Sequence, residues 1–243
     1  MTNELVTVDA ATLALRQDLE RQWDDETAFL TLDPSGKAHI APTIFLAKRG
    51  GGTGASTFCL VLEYLLAVEA LIIEVGGNSC AAFRDRGPDR HRHFASREQD
   101  RVGKALNARL DNAGRIAILE FEPSLFRDTV KIAASMKAIV EGATVVLFYL
   151  AGRHETASSY RHKALEKGLH QVFMCHQPTR APDQRTAGSI YLPWLDPDIL
   201  DPMHAEALSL QDSLRECSGL WTKGEARLNL AAFANTISES RAP

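Results

Sequence analysis

Ile44-Phe45-Leu46-Ala47-Lys48-Arg49-Gly50-Gly51-Gly52-Thr53-Gly54-Ala55-Ser56-Thr57-Phe58 runs from an apolar segment through a cluster of glycines into the helical stretch Leu60-Val61-Leu62-Glu63-Tyr64-Leu65-Leu66. Glycines in this position let consecutive backbone N–H groups turn toward one point, and the N-terminus of the following helix adds a dipole that favours an anion there. A buried strand, a glycine loop and a helix, in that order, are the context a phosphate-binding loop requires. Ser56 or Thr57 supplies a hydroxyl at the first helical turn for a magnesium ion. The competing reading is a plain glycine turn.

Working outward, apolar runs rich in β-branched and aromatic residues recur at 40–47, 70–75, 115–121, 143–150 and 171–175. Stretches with apolar residues at steps of three and four separate them, at 55–67, 97–112, 124–141 and 155–167. Strands alternating with helices predict an α/β fold: a mainly parallel sheet with helices on both faces, of Rossmann-like P-loop architecture. A further short apolar run at 189–193 leads into helices near 199–216 and 224–239. Residues 1–37 read as an N-terminal extension, with an amphipathic helix near 8–24 and a short strand at 28–32. The α/β domain is expected over 38–243.

Composition narrows the class. The chain has 243 residues, 45% of them hydrophobic, which excludes global disorder and suffices for a large buried core. Its 27 basic and 31 acidic residues leave a formal charge of −4, so no chain-wide field attracts polyanions. Cys59, Cys80, Cys175 and Cys217 stand far apart without metal-type spacing and are expected to be free thiols in a reducing compartment. The start carries no basic segment followed by an apolar run, and no stretch is long and apolar enough to span a membrane, so the expectation is a cytoplasmic protein.

The loop resembles a known family. Gly51-Gly52-Thr53-Gly54-Ala55-Ser56-Thr57 is similar to the deviant Walker A loop of the ParA/MinD ATPases, a SIMIBI-class group of P-loop NTPases whose pattern is K-G-G-x-G-K-[ST]-[ST]. Two departures stand out: Gly50 replaces the signature lysine and Ala55 the general P-loop lysine. Lys48 and Arg49 lie upstream at offsets that copy neither role. They read either as charges that swing toward a phosphate or as solvent-facing charges at a strand end.

The resemblance implies nucleotide-binding residues Gly51, Gly52, Thr53, Gly54, Ala55, Ser56 and Thr57, with ATP or ADP and Mg2+ as cofactors and Ser56 and Glu120 as metal ligands. It also implies an acidic motif after the loop helix. In Ile72-Ile73-Glu74-Val75-Gly76-Gly77-Asn78, Glu74 matches its first acid and Gly76 replaces the second, and the resemblance makes Glu74 and Glu120 the catalytic acids. Glu120, in Ile118-Leu119-Glu120-Phe121-Glu122-Pro123, takes the Walker B place, with a solvent-facing strand-end carboxylate as the plainer reading. His176 and Gln177, after the strand at 171–175, stand near the family's base-recognition position.

The length and the Tyr191-Leu192-Pro193-Trp194-Leu195 stretch look most like plasmid conjugal-transfer and stability proteins of the TraL and StbB kind. The implied role is an ATP- or ADP-dependent switch in plasmid DNA transfer or maintenance, with slow hydrolysis at most. Plasmid transfer or partition proteins would be its partners, and any homodimer would be insensitive to nucleotide because Gly50 cannot reach across. A pseudo-ATPase scaffold for protein interaction or DNA positioning is the alternative, with direct DNA contact left open.

An NAD-dependent oxidoreductase is weighed as well, since Glu74 follows the loop at about the distance of a ribose-binding acid. Ala55 and Thr57, however, stand where that fingerprint needs glycine. His91 and His93 lie in a mixed-charge stretch at 84–104 that reads as a solvated loop and helix face, and two imidazoles alone make no metal site.

Overall fold

The computed structural model describes residues 40–83, 85–140, 142–152, 158–179 and 189–240. The expected helix near 8–24 and strand at 28–32 lie outside these residues. β1 (Thr43–Lys48), β2 (Leu71–Val75), β3 (His91–Phe94), β4 (Ala117–Phe121), β5 (Val145–Ala151), β6 (Gln171–His176) and β7 (Ile190–Tyr191) form one sheet in the order β3-β2-β4-β1-β5-β6-β7. Every pairing is parallel. The α/β expectation holds.

Both faces are covered, which explains why the central strands read as unbroken apolar runs. On one face Ile44, Leu46, Ile118, Val146 and Phe148 pack beneath α1 (Ala55–Leu66) and three later helices, α5 (Pro197–Ala205), α6 (Leu210–Glu216) and α7 (Leu220–Glu239). On the other, Phe45, Leu119, Leu147 and Tyr149 pack beneath α2 (Arg101–Asp111), α3 (Phe126–Ile139) and α4 (Ser158–Glu166). α1 is buried almost all round, because α6 and α7 cover the flank that the sheet does not.

β3 is the main departure from expectation. His91-Arg92-His93-Phe94 carries little of the β-branched composition that marks a strand, yet it pairs with β2 from Ile72↔His91 to Val75↔Phe94. Its place at the sheet edge explains the charge, since edge strands are commonly protected by polar side chains. The helix expected over 199–216 is two helices. Ala207 takes φ +55°, and Ser209 restarts the chain by accepting from the Asp212 amide at 3.0 Å.

Arg109 locks the lower end of the sheet. Wholly buried, it donates to Thr43 Oγ1 at 2.8 Å, to the Asn112 carbonyl at 2.9 Å and to the Ala41 carbonyl. Burial pulls its guanidinium down to about 10. Among the described residues no helix is long and apolar enough to cross a membrane.

Candidate nucleotide site

The glycine loop joins the C-terminal end of the central strand β1 to the N-terminus of α1, at the sheet edge where α/β folds gather ligands. Gly52 (φ +69°) and Gly54 (φ +78°) adopt the left-handed conformation on either side of Thr53. Alternation of this kind turns successive amides toward one side of the chain. Gly54 is the N-cap of α1 and offers no side chain, and the first turn holds no acid. Among the described residues nothing accepts from the amides of Ala55, Ser56 and Thr57. Thr53 Oγ1 is buried without a partner. A side chain at Gly50, Gly51 or Gly52 would have nothing within 4 Å, so the loop is open.

Beneath the loop lies Glu120, buried near the end of β4. It is not a solvent-facing carboxylate. Lys48 Nζ donates to its Oε1, Cys59 Sγ lies 3.9 Å from Oε2, and the Ser56 hydroxyl faces it. Burial holds the Glu120 carboxyl above its ordinary range; Lys48 and Ser56 oppose this and neighbouring Glu74 adds to it. Lys48 therefore does not face solvent: its side chain is 16% exposed, against 7% for Glu120. Arg49 instead lays its guanidinium over the Phe126 ring, 5.0 Å from the centroid.

Glu74 and Glu120 are register partners on adjacent strands. The oxygens of Glu74 are engaged elsewhere, by the Ser79 hydroxyl at 2.8 Å, the Cys80 amide at 3.0 Å and His91 Nε2 at 2.7 Å. Burial acts to raise its pKa, but these bonds outweigh it and hold the carboxyl below the ordinary value. His91 is thus the partner of Glu74, and His93 Nε2 lies 3.2 Å from the Gly77 carbonyl. Neither belongs to a metal cluster among the described residues.

At Gly76, where the family pattern has its second acid, a side chain would displace a neighbouring carboxylate. A Cβ there would lie 2.2 Å from Glu122 Cδ, on a backbone at φ +93°. Glu122 from the end of β4 occupies that space. It accepts from Gly77 N at 2.9 Å, Arg101 NH2 at 2.7 Å, Ser96 Oγ at 2.5 Å and Ser124 Oγ at 2.6 Å. Against the upward push of burial, these donors bring its carboxyl down to about 2.

Of the two hydroxyls proposed for a metal, Ser56 faces Glu120, whereas Thr57 Oγ1 pairs with His204 of α5 at 3.0 Å. Gln177 reaches the loop, donating to the Gly52 carbonyl at 3.1 Å. His176 packs its ring against Tyr191, with 5.2 Å between centroids. Next to the loop an apolar cavity of about 100 Å³ is lined by Gly54, Phe58, Pro178, Leu192 and Trp194, among others. A larger cavity of about 750 Å³ lies near the far end of α1, where Arg86 is already matched by buried Glu63 at 2.7 Å.

Sequence reasoning gave Glu122 no role, and it weighed Lys48 and His91 without their partners, Glu120 and Glu74. Lys48 carried a faint signal, standing two positions beyond Leu46, the register partner of Glu120, and so on the same face of the sheet.

No family model matches the chain, and no curated protein matches it by sequence. Among solved structures, a LAO/AO transport system kinase aligns at TM-score 0.39 and 11% identity, over 96% of this chain and 77% of that one. The signal recognition particle receptor FtsY from Elizabethkingia anophelis aligns at TM-score 0.35 and 13% identity, over 70% of this chain and 59% of that one. Neither likeness is close enough to say what this chain does.

Proposed function

We propose that the chain binds ATP or ADP through the loop at Gly51–Thr57 and turns it over slowly or not at all. The observation that carries this is the glycine turn itself: Gly52 and Gly54 are left-handed at the N-terminus of α1, and among the described residues nothing accepts from the amides of Ala55, Ser56 and Thr57, with Glu120 buried at the end of the adjacent strand. The phosphates would lie on the amides of Ala55 to Thr57. Gln177 fixes the loop beside Gly54 by donating to the Gly52 carbonyl.

Ser56 and Glu120 are the residues that the resemblance gives to magnesium, but Lys48 Nζ already lies on the Glu120 carboxylate, so the pair as it stands does not fit a divalent ion. The chain's own groups explain weak turnover. Ala55 and Gly50 provide no ammonium to the transferring phosphoryl group, and losing one such positioned group costs about 2–4 kcal/mol of transition-state stabilisation. Glu74 is held by His91, Ser79 and Cys80, and Glu122 by Arg101 and three further donors, so neither is free to orient a water.

The resemblance to ParA/MinD proteins extends the proposal to a nucleotide-dependent switch in plasmid DNA transfer or maintenance. The pseudo-ATPase scaffold is the second reading, favoured by the absence of both loop lysines. The NAD reading is weakened because the acid it needs, Glu74, is already occupied. Calorimetric titration with ATP and ADP separates these. Binding tighter than millimolar supports the switch, weaker binding leaves the scaffold, and a melting temperature raised by NAD(H) but not ATP would favour the oxidoreductase.

A further inference from the structure

We infer that Lys48 is the resident cation of this site: its ammonium holds the place beside Glu120 that a divalent ion would take, so nucleotide binds without magnesium. The inference rests on the nucleotide reading above and adds to it how the carboxylate beneath the loop is neutralised.

Three observations carry it. First, the ammonium lies on the same carboxylate that Cys59 of α1 approaches at 3.9 Å and that the Ser56 hydroxyl faces, so it is one side chain removed from the start of α1. A lysine ending β1 thus reaches the floor of the loop from the strand side, whereas the lysines of the family pattern come from within the loop.

Second, the pair is largely withdrawn from water, with side chains 16% and 7% exposed. Glu74, the other carboxylate that acts on Glu120, is committed to His91, Ser79 and Cys80, which leaves the Lys48–Glu120 contact as its own unit. An anionic Glu120 alone would repel a triphosphate; paired with Lys48, it presents little net charge.

Third, a divalent ion held by Glu120 would have to displace the ammonium already on that carboxylate. An ion placed beside a retained ammonium would add like charges at close range in a poorly solvated spot, which is unfavourable.

The test has two arms. In the first, ATP affinity is measured by calorimetry with Mg2+ and with excess EDTA. The wild-type chain is expected to bind equally in both, Lys48→Met to lose about tenfold or more in EDTA, and Lys48→Arg to keep metal-independent binding. Wild-type binding that collapses in EDTA, or Lys48→Met that binds as well as wild type there, overturns the inference. The second arm needs no nucleotide and so separates this inference from the reading it rests on. Mn2+ binding is followed by electron paramagnetic resonance, with circular dichroism confirming that each variant is folded. Lys48→Met is expected to gain a Mn2+ site that wild type lacks and that Lys48→Met/Glu120→Gln loses again. No gain in Lys48→Met, or a Mn2+ site on Glu120 in wild type, overturns it even if ATP never binds.

Discussion

Replacing Gly76 by alanine tests whether this glycine is there for the carboxylate packed against it. The new Cβ would lie 2.2 Å from Glu122 Cδ and 2.3 Å from its Oε2, too close for either group to stay. Glu122 would have to swing away from Gly77 N, Ser96 and Arg101, while residue 76 kept φ +93°. Left-handed strain costs about 1–2 kcal/mol for a side-chain-bearing residue. Bonds to a charged carboxylate contribute about 1.5–3 kcal/mol, taken here at the low end because water can reach the displaced group. The expected loss is about 3 kcal/mol, roughly a hundredfold in the folding equilibrium. Urea unfolding of a double-mutant cycle is the assay. In a Glu122→Ala background, Gly76→Ala should cost only the backbone part, about 1–2 kcal/mol. Equal costs in both backgrounds would refute the steric account.

Gly54→Val should reduce ATP affinity by about tenfold or more with a stability loss of only about 1–2 kcal/mol, because φ +78° is strained for valine while the nearest atom to a Cβ, Leu192 Cδ1, is 3.8 Å away; calorimetry and melting read the two effects. Arg109→Met should cost about 3–5 kcal/mol in urea unfolding, since it orphans the carbonyls of Ala41 and Asn112 and the Thr43 hydroxyl inside the fold. Glu122 has a depressed folded-state pKa, so its stabilisation is present above the unfolded carboxyl value and lost as pH falls toward about 2. Acid unfolding of wild type should therefore show a slope from about pH 4.5 downward that is shallower in Glu122→Gln, and identical slopes would count against the network.

The doubly wound fold was legible because the central strands are apolar on both faces and alternate with helices of clear periodicity. β3 was hidden because an edge strand of two histidines, an arginine and one phenylalanine shows no such pattern. The break inside 199–216 had a local mark, Ser209 three residues before Asp212, but the apolar periodicity on either side masks it. In the site, the loop glycines and the place of Glu120 could be read, since backbone geometry and strand ends leave local traces. The partner of Glu120 could not. Lys48 and Glu120 are separated by 72 positions, and only the parallel register of β1 and β4 brings them onto one face. Likewise the need for Gly76 comes from Glu122, a neighbour in space across two strands, and no local spacing announces it.

The hydrogen bond from Gln177 to the Gly52 carbonyl spans 125 positions of the chain. It fastens the glycine turn to the segment leaving β6, whose last carbonyl, that of His176, accepts from Leu192 just past β7. The turn at the centre of the sheet and its far border, where α7 packs against β7, are thereby joined by one short run of contacts through the segment after β6.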